Sequence, residues 1–267
     1  MTHVVITGGS SGIGLAVARI YVRRGYRVSL IARGAAALEA ARIALDEARD
    51  GRVHIATADV ADAEAVGAAI RACEAAAGPC DILICSAGIV TPSPFDAQAP
   101  ADFDRQIAIN LSGSVHAVRA VYARMCARGQ GRIMLVSSGA GLIGIPGYAA
   151  YCASKFALRG FAEALRSEAR PKGVTISICF PPDTQTPQLE RERAARPAEA
   201  EVIMGQVKPW SAEHVATRLV RALDRGRFDV YFGLTLLALG RLAPLVRPLI
   251  DRYFDRQIRR LHRVTEP

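Results

Sequence analysis

Tyr151 and Lys155 lie four residues apart in the segment Tyr151-Cys-Ala-Ser-Lys155, which has a helical pattern. Residues with this spacing share one face of a helix, so the phenol and the ammonium point into the same cleft. A tyrosine with its ordinary pKa of about 10 is a poor proton donor at neutral pH, and a nearby cation lowers that pKa. The spacing therefore predicts that Tyr151 is a general acid tuned by Lys155.

Two polar residues upstream complete the candidate catalytic set. Ser138 ends a predicted strand, where its hydroxyl can hydrogen-bond a substrate carbonyl and polarise it. Asn110 lies inside a predicted helix, where a polar amide is otherwise unfavourable, and we expect it to hold a water that relays protons to Lys155. For each residue alone a structural role is the better explanation, but together they predict proton transfer to a carbonyl oxygen.

A glycine-rich turn, Thr7-Gly-Gly-Ser-Ser-Gly-Ile-Gly14, joins an apolar run at residues 3–6 to an amphipathic helix. Its glycines allow a tight turn and a close backbone approach, while the free amides at the start of the helix face an anion. This pattern predicts a cradle for the pyrophosphate of a dinucleotide. The residues expected to contact the dinucleotide are Gly8, Ser10, Ser11, Gly12, Ile13 and Gly14.

The ends of the next two predicted strands are placed to contact the adenosine half of the dinucleotide. Arg33 follows the second strand, where an arginine pairs with a 2′-phosphate and an acidic residue would instead bind the free hydroxyl. Arg33 therefore favours NADP over NAD. Asp59 and Val60 end the third strand, where the carboxylate can accept from the adenine amino group and the valine can pack on the ring.

Five further apolar runs alternate with longer amphipathic stretches after the first strand. They cover residues 28–32, 53–58, 82–85, 133–136 and 174–180. This alternation predicts an α/β fold, a Rossmann-type doubly wound parallel sheet flanked by helices. We expect a single dinucleotide-binding catalytic domain over residues 1–230 and a helical extension over residues 231–267 that is first apolar and then basic.

These motifs, in this order, resemble those of the short-chain dehydrogenases and reductases over about residues 3 to 190. The resemblance implies hydride transfer from a nicotinamide cofactor to a carbonyl carbon, while Tyr151 gives the oxygen its proton. Two departures are Ser86 in place of a common asparagine and Pro182 in place of a common glycine, and Pro182 stiffens its loop. The further cofactor contacts that the resemblance implies are Ala87, Gly88, Tyr151, Lys155, Pro181, Thr184 and Thr186.

Three stretches, at residues 137–144, 151–165 and 180–187, are similar to one branch of this family, the reductases of 3-ketodihydrosphingosine. That similarity implies NADPH-dependent reduction of the C3 ketone of a long-chain amino ketone to sphinganine, a step of sphingolipid synthesis. A reductase of another hydrophobic ketone, such as a steroid, retinoid or 3-oxoacyl thioester, would share every catalytic residue. A regulator that senses NADP(H) would share the fold, but the intact catalytic set counts against it.

The region between Tyr231 and Ile250 is mostly apolar, but two arginines and two prolines interrupt it. A membrane-spanning helix would have about 20 apolar residues without such charges. The tail from Asp251 to Arg263 is basic and amphipathic, which is typical of helices that lie in a membrane interface. A helical cap over the substrate cleft or a contact between subunits explains residues 234–249 about as well, and an apolar lid that guides an acyl chain from the bilayer would combine the two.

The formal net charge of +9 comes from arginines spread over many predicted helices, without a nucleic-acid recognition module, so we expect no nucleic-acid partner. The six cysteines have neither zinc-site spacing nor the density of a disulfide scaffold, which predicts reduced thiols and no metal. A first strand that begins near residue 3 leaves no room for a leader peptide, so we expect a cytoplasmic protein with peripheral membrane contact.

Two expectations concern moving and associating parts. Residues 188–207, within a predicted substrate lid at about 184–210, are rich in Glu, Arg and Ala and carry little that must be buried, which predicts a mobile segment. By family analogy we expect a homodimer or homotetramer formed through the helices that contain residues 110–128 and 151–170, although an apolar face there would also suit a monomer core.

Overall fold

The computed structural model describes residues 1–45, 51–204 and 208–265. Seven parallel strands form the central sheet: β1 (His3–Thr7), β2 (Arg27–Ala32), β3 (Val53–Thr57), β4 (Ile82–Cys85), β5 (Gly131–Val136), β6 (Val174–Phe180) and β9 (Asp229–Tyr231). Two short strands, β7 (Thr184–Gln185) and β8 (Trp210–Ser211), pair with each other separately. The order across the large sheet is β3-β2-β1-β4-β5-β6-β9, and the winding direction reverses between β1 and β4. Ligands of open α/β sheets bind at such a switch point, outside the carboxyl ends of the strands.

Ten α-helices accompany these strands within the described ranges. They are α1 (Gly12–Arg23), α2 (Ala35–Leu45), α3 (Ala63–Ala77), α4 (Pro100–Ile107), α5 (Gly113–Arg128), α6 (Ala149–Ala169), α7 (Pro187–Ala194), α8 (Ala198–Met204), α9 (Ala212–Asp224) and α10 (Gly233–Thr265). Helices α1, α2 and α9 pack on one face of the sheet, and α3, α5 and α6 pack on the other.

The strands are mostly apolar because both faces of the sheet are covered. In β1, Val4 and Ile6 belong to the core with α1, α2 and α9, whereas Val5 belongs to the core on the opposite face. Side chains alternate between the faces of a strand, and a parallel sheet buried on both sides therefore reads as a continuous apolar run. The predicted α/β fold is confirmed.

One strand of the large sheet was not predicted. Strand β9 has three residues, and it completes the edge by pairing in parallel with the end of β6, from Ile178 opposite Asp229 to Phe180 opposite Tyr231. The Phe180 and Tyr231 rings also stack, with centroids 5.2 Å apart. The predicted third strand ends one residue too late, since β3 ends at Thr57 and not at Ala58.

The lid region consists of α7 and α8, which lie between the paired strands β7 and β8. The expectation that this region buries little is wrong. Leu189 and Ala200 are buried, and the side chain of Arg196 is only 2% exposed. Residues 205–207 of the predicted lid lie outside the described residues.

Helix α10 is 33 residues long and bends at Leu242, where φ is −120° and ψ is 19°. Pro244 follows the bend, and a proline inside a helix removes a backbone hydrogen bond and clashes with the preceding turn. In the described part of the chain, α10 is one helix that is long and apolar enough to cross a membrane by length and composition. Little of its apolar stretch is buried against the rest of the protein.

Candidate active site

Ser138, Tyr151 and Lys155 meet at the carboxyl end of β5. Ser138 follows β5 in an extended conformation, and its Oγ accepts a hydrogen bond of 3.2 Å from the amide of Ala140. The same hydroxyl is within hydrogen-bonding reach of the Tyr151 phenol. The first two turns of α6 place Tyr151 and Lys155 on one side of the helix, as the spacing predicts.

The Tyr151 side chain is partly buried, and desolvation of its phenol raises its pKa well above the ordinary value. The hydrogen bond from Ser138 opposes the shift, and the negative charges of Glu192 and Asp183 add to it. The prediction that the pKa of Tyr151 is lowered is therefore wrong, because desolvation is the largest influence on this phenol. The consequence is a phenol that stays protonated but is a weaker acid than a free tyrosine, so it gives its proton only to a strongly basic atom of a bound ligand.

Lys155 is buried, and its Nζ donates to the carbonyl oxygen of Val136 at 3.0 Å. Nζ also lies 5.5 Å from the centre of the Tyr151 ring. Burial lowers the pKa of Lys155 to about 8, because a low-dielectric environment disfavours the charged form.

Asn110 lies in a π-helical turn, Ala108–Ser112, between α4 and α5, and not in the regular helix that the sequence predicts. Its side chain is fully buried and binds both backbone groups of Ile89, accepting from the amide at 2.8 Å and donating to the carbonyl at 2.9 Å. Nδ2 also donates to Ser154 Oγ at 3.0 Å. Both amide hydrogens are thus engaged with protein, so the side chain anchors the loop after β4 to α6.

The glycines of the turn lie where a side chain would clash with neighbouring segments. Gly8 has a φ of +68°, and a side chain there would lie 2.7 Å from the amide nitrogen of Ala87. Gly12 also has positive φ, and a Cβ there would lie 2.9 Å from the Thr186 methyl carbon. Ser11 precedes α1 without capping it through its side chain, as far as the described residues show. The amides of Gly12, Ile13 and Gly14 form the first turn of α1, and the amides at the start of a helix suit the pyrophosphate of a dinucleotide.

Arg33 and Asp59 come together at the ends of β2 and β3. Arg33 Nη1 lies 4.0 Å from Asp59 Oδ2, and both side chains are about half exposed. Asp59 Oδ1 accepts from the amide of Ala61 at 3.0 Å. Val60 is different: its side chain is buried in the core, where a Cβ on Gly113 would lie 2.6 Å from it. It therefore faces α5, and its predicted packing on an adenine ring finds no open surface in the structure.

The remaining predicted cofactor residues line the crevice between the glycine turn and α6. The amide of Ala87 approaches Thr7 Oγ1 at 3.4 Å, and a Cβ on Gly88 would lie 3.5 Å from Lys155 Nζ. On the opposite side, the carbonyl of Pro181 accepts from Gly139 at 2.9 Å. Ser10 lies in the turn itself.

The two threonines of this crevice make local hydrogen bonds. Thr184 Oγ1 donates to the carbonyl of Pro182 at 2.8 Å. Thr186 Oγ1 caps α7 by accepting from the amide of Leu189 at 3.2 Å. Their predicted contacts with a nicotinamide amide or phosphate stay predictions.

A buried polar network beside Tyr151 was not predicted. Arg196 Nη2 lies 3.0 Å from Asp183 Oδ2 and 2.7 Å from Glu192 Oε1, and Arg196 Nε donates to the Tyr148 hydroxyl at 3.2 Å. That hydroxyl in turn donates to Glu192 Oε1 at 2.8 Å. The network joins segments up to 48 residues apart, and nothing in their local sequence marks them as neighbours.

A small apolar cluster also surrounds Tyr151. The cluster joins three separate parts of the chain, and its other members are Val90, Ala140, Ile145, Tyr148, Cys152, Ala200 and Met204. Helix α10 reaches the same area, because a Cβ on Gly139 would lie 3.1 Å from Leu236 Cδ2. The predicted catalytic set therefore lies next to an apolar wall built partly by α8 and close to the start of α10.

A parallel sheet with a glycine turn, a serine after β5 and a Tyr-x-x-x-Lys pair on α6 defines a class of oxidoreductases. A family model described as short chain dehydrogenase matches residues 2–197. The chain belongs to the short-chain dehydrogenase family, as its sequence predicts, and the cofactor of the family is a nicotinamide dinucleotide. The glycine turn described above fits that group.

Among its curated relatives, the chain is 37% identical over 235 residues to the 3-ketodihydrosphingosine reductase of Bos taurus. It is 38% identical over 235 residues to the 3-dehydrosphinganine reductase of Danio rerio. Each match covers 86% of this chain and 71% of the relative. Among solved structures, levodione reductase superposes with a TM-score of 0.80 at 28% identity, covering 86% of this chain and 95% of that one.

Proposed function

We propose that this protein is an NADPH-dependent reductase that converts the C3 ketone of 3-ketodihydrosphingosine to sphinganine. The observation that carries the proposal is the position of Ser138, Tyr151 and Lys155 beside an apolar cluster, which suits a ketone on a long alkyl chain. The names of the two relatives above support this substrate. The product belongs to sphingolipid synthesis.

The roles of the catalytic residues follow from their geometry. When bound, the nicotinamide supplies the hydride that adds to the ketone carbon. The ketone oxygen then gains negative charge, and positioned donors stabilise that charge. Tyr151, which is protonated, donates its proton to this oxygen, because an alkoxide is a stronger base than a phenolate. Ser138 donates a hydrogen bond to the same atom. Lys155 stabilises the phenolate that remains, from its position above the ring.

Arg33 supports NADPH as the preferred form of the cofactor. Its half-exposed guanidinium at the end of β2 can form charge-assisted hydrogen bonds with a 2′-phosphate, which NADH lacks. We expect Arg33→Ser to weaken NADPH binding about 10-fold or more and to leave NADH binding nearly unchanged. Arg71→Ser, which removes an exposed arginine from α3, is the matched control. An equal loss for both cofactors would contradict this role.

Helix α10 supports a peripheral contact with the cytoplasmic face of a membrane. Leu245 and Leu249 are 74% and 65% exposed and lie four residues apart, and the basic tail follows them. Such a helix lies in the interface and is held by apolar burial and by anionic headgroups. The contact of Leu236 with Gly139 brings the start of α10 close to the active site, so its apolar side chains are placed to contact an alkyl chain of the substrate.

The protein is also proposed to form a homodimer or homotetramer through α5 and α6. Phe156 is a partly exposed aromatic side chain on α6, and an aromatic at this position suits a buried contact between subunits. The mass of the purified protein by light scattering tests this, and a monomeric mass at micromolar concentration would contradict it.

The substrate assignment is tested by NADPH oxidation in detergent micelles. The purified protein is given 3-ketosphinganine beside a steroid ketone, a retinoid and a 3-oxoacyl thioester, and each reaction is repeated with NADH. Preferred turnover of 3-ketosphinganine supports the proposal. Turnover confined to another ketone overturns the substrate, and no turnover of any carbonyl favours a protein that only senses NADP(H).

A further inference from the structure

Glu192 is a carboxylate of α7 that faces the interior of the protein. Its side chain is 11% exposed, and Oε1 accepts from both the Tyr148 hydroxyl and Arg196 Nη2. Oε2 has no hydrogen-bond partner among the described residues, and it is also not among the polar atoms sealed from solvent. One oxygen of Glu192 is thus fixed by protein, and the other remains accessible to solvent.

This open oxygen belongs to a residue close to the reacting centre. The Tyr148 ring, whose hydroxyl binds Glu192, packs edge-on against the Tyr151 ring, with centroids 6.3 Å apart. The negative charge of Glu192 also reaches the phenol, since it raises the pKa of Tyr151. A ligand held by Tyr151 therefore lies within the electrostatic influence of Glu192.

The charges of the network do not balance inside the protein. Asp183 and Glu192 supply two carboxylates with side chains 23% and 11% exposed, against the single guanidinium of Arg196. Glu201 adds a third carboxylate, but its side chain is 60% exposed and solvated. Buried charge is costly without a partner, and burial accordingly raises the pKa of Glu192. A cation supplied by the ligand would complete the balance.

We propose that Glu192 recognises the ammonium group next to the ketone of the substrate. The inference rests on the proposed function, because an α-amino ketone carries its ammonium on the carbon bonded to the carbonyl. When Tyr151 and Ser138 hold the ketone oxygen, that ammonium lies near the phenol and can donate a charge-assisted hydrogen bond to Glu192 Oε2. Arg196 and Tyr148 orient the carboxylate by holding Oε1. A neutral ketone gains nothing from this contact, so Glu192 determines specificity.

The test compares Glu192→Gln with Glu190→Gln, an exposed glutamate on the same helix. Two substrates are used, 3-ketosphinganine and an analogue in which a hydroxyl replaces the ammonium. We expect Glu192→Gln to raise KM for the amino ketone about 10- to 100-fold, with a smaller change in kcat and little change for the hydroxy ketone. Glu190→Gln should behave as the wild type. An equal loss for both substrates would assign Glu192 to the structure of the lid and overturn the proposal.

A binding measurement separates this inference from the proposed function. Titration calorimetry with NADP present compares dodecylammonium with dodecanol, in the wild type and in Glu192→Gln. The proposal predicts tighter binding of the amine by the wild type and loss of that preference in the variant. The wild type could reduce no sphingoid ketone and still prefer the amine, with Glu192→Gln losing that preference. This result would overturn the proposed substrate and support the ammonium site. Equal affinity of the wild type for the amine and the alcohol overturns the site.

Discussion

Lys155 lies over the ring of Tyr151, with its Nζ atom 5.5 Å from the ring centroid. Lys155 is buried and Tyr151 is partly buried, and desolvation moves their pKa values in opposite directions. The pKa of Tyr151 rises, so its phenol keeps its proton, while the pKa of Lys155 falls to about 8. Of this pair, Lys155 is therefore the residue that titrates in an accessible pH range.

Ketone reduction should slow as the pH rises through about 8, where Lys155 loses its proton. Below this pH the ammonium is present and supports proton transfer by Tyr151, and above it the support is lost. The measurement is kcat/KM between pH 6 and 10 with a neutral ketone, so that no substrate amine titrates. The Lys155→Met variant should have a low kcat/KM that does not decline near pH 8. A wild-type decline centred at pH 10 would contradict the role of Lys155.

The lowered pKa of Lys155 has the opposite effect on stability: activity falls as the pH rises, whereas the free energy of unfolding increases. The ordinary pKa of lysine applies to the unfolded chain, so between pH 8 and about 10 the unfolded state binds more protons than the folded state. The contribution of Lys155 to the free energy of unfolding therefore becomes more favourable as the pH rises through this window. Urea unfolding of the wild type and Lys155→Met at pH 7 and 9.5 measures the difference. If the difference in the free energy of unfolding between the two proteins is the same at both pH values, the lowered pKa of Lys155 is contradicted.

Asn110→Ala should lower the free energy of unfolding by about 2 to 3 kcal/mol. The substitution leaves the amide and carbonyl of Ile89 without their partners in a buried place, and it removes the bond to Ser154. Asn110→Asp keeps the acceptor for the Ile89 amide and should recover part of the loss. Urea unfolding measures both variants. A change below about 0.5 kcal/mol would show that this anchor is not structural.

The fold was predictable because each of the longer strands forms an apolar run that is visible in the sequence. A sheet covered on both faces requires apolar strands, and helices that cover it require amphipathic stretches, so local sequence carries the α/β pattern. Strand β9 was not predicted, because it has only three residues and depends on its pairing with β6, which the local sequence does not show. The π-helical turn at Asn110 was not predicted either. The hydrogen bonds of the Asn110 side chain go to Ile89 and Ser154, which are distant in sequence.

The candidate site was predictable where one motif holds the chemistry, as in the Tyr151 and Lys155 pair on α6. The pKa of Tyr151 was not predictable, because the sequence shows a neighbouring cation and does not show the desolvation that has the largest influence on the phenol. The network of Tyr148, Glu192 and Arg196 was missed for a similar reason. A run of Glu and Arg predicts a solvated segment, but tertiary contacts in the structure leave the Arg196 side chain only 2% exposed.

Arg196→Met should loosen the lid formed by α7 and α8. The substitution keeps a long side chain but leaves Asp183 and Glu192 without their buried cation, a loss that typically costs about 3 kcal/mol. Hydrogen exchange should then accelerate in residues 187–204 of the free protein. Arg193→Met, which removes an exposed arginine from α7, is the control. Equal exchange in both variants would contradict a fastening role of Arg196.

Replacing both Leu245 and Leu249 by glutamate should abolish binding to anionic vesicles. Both leucines are exposed on α10, and charge on the apolar side opposes insertion into the interface. Co-sedimentation with vesicles that contain phosphatidylserine measures the bound fraction. Ile43→Glu, a change at an exposed apolar residue of α2, should bind like the wild type. Unchanged binding of the double variant would favour α10 as a cap or a subunit contact.

The central claim is that Tyr151 is the proton donor of a sphingoid ketone reductase. The most direct measurement is NADPH oxidation with 3-ketosphinganine by the wild type and Tyr151→Phe, with NADPH affinity determined on the same preparations. We predict that the variant binds NADPH like the wild type and turns over about 100- to 10,000-fold more slowly, because it lacks the proton that the ketone oxygen requires. Unchanged turnover by Tyr151→Phe would contradict this account.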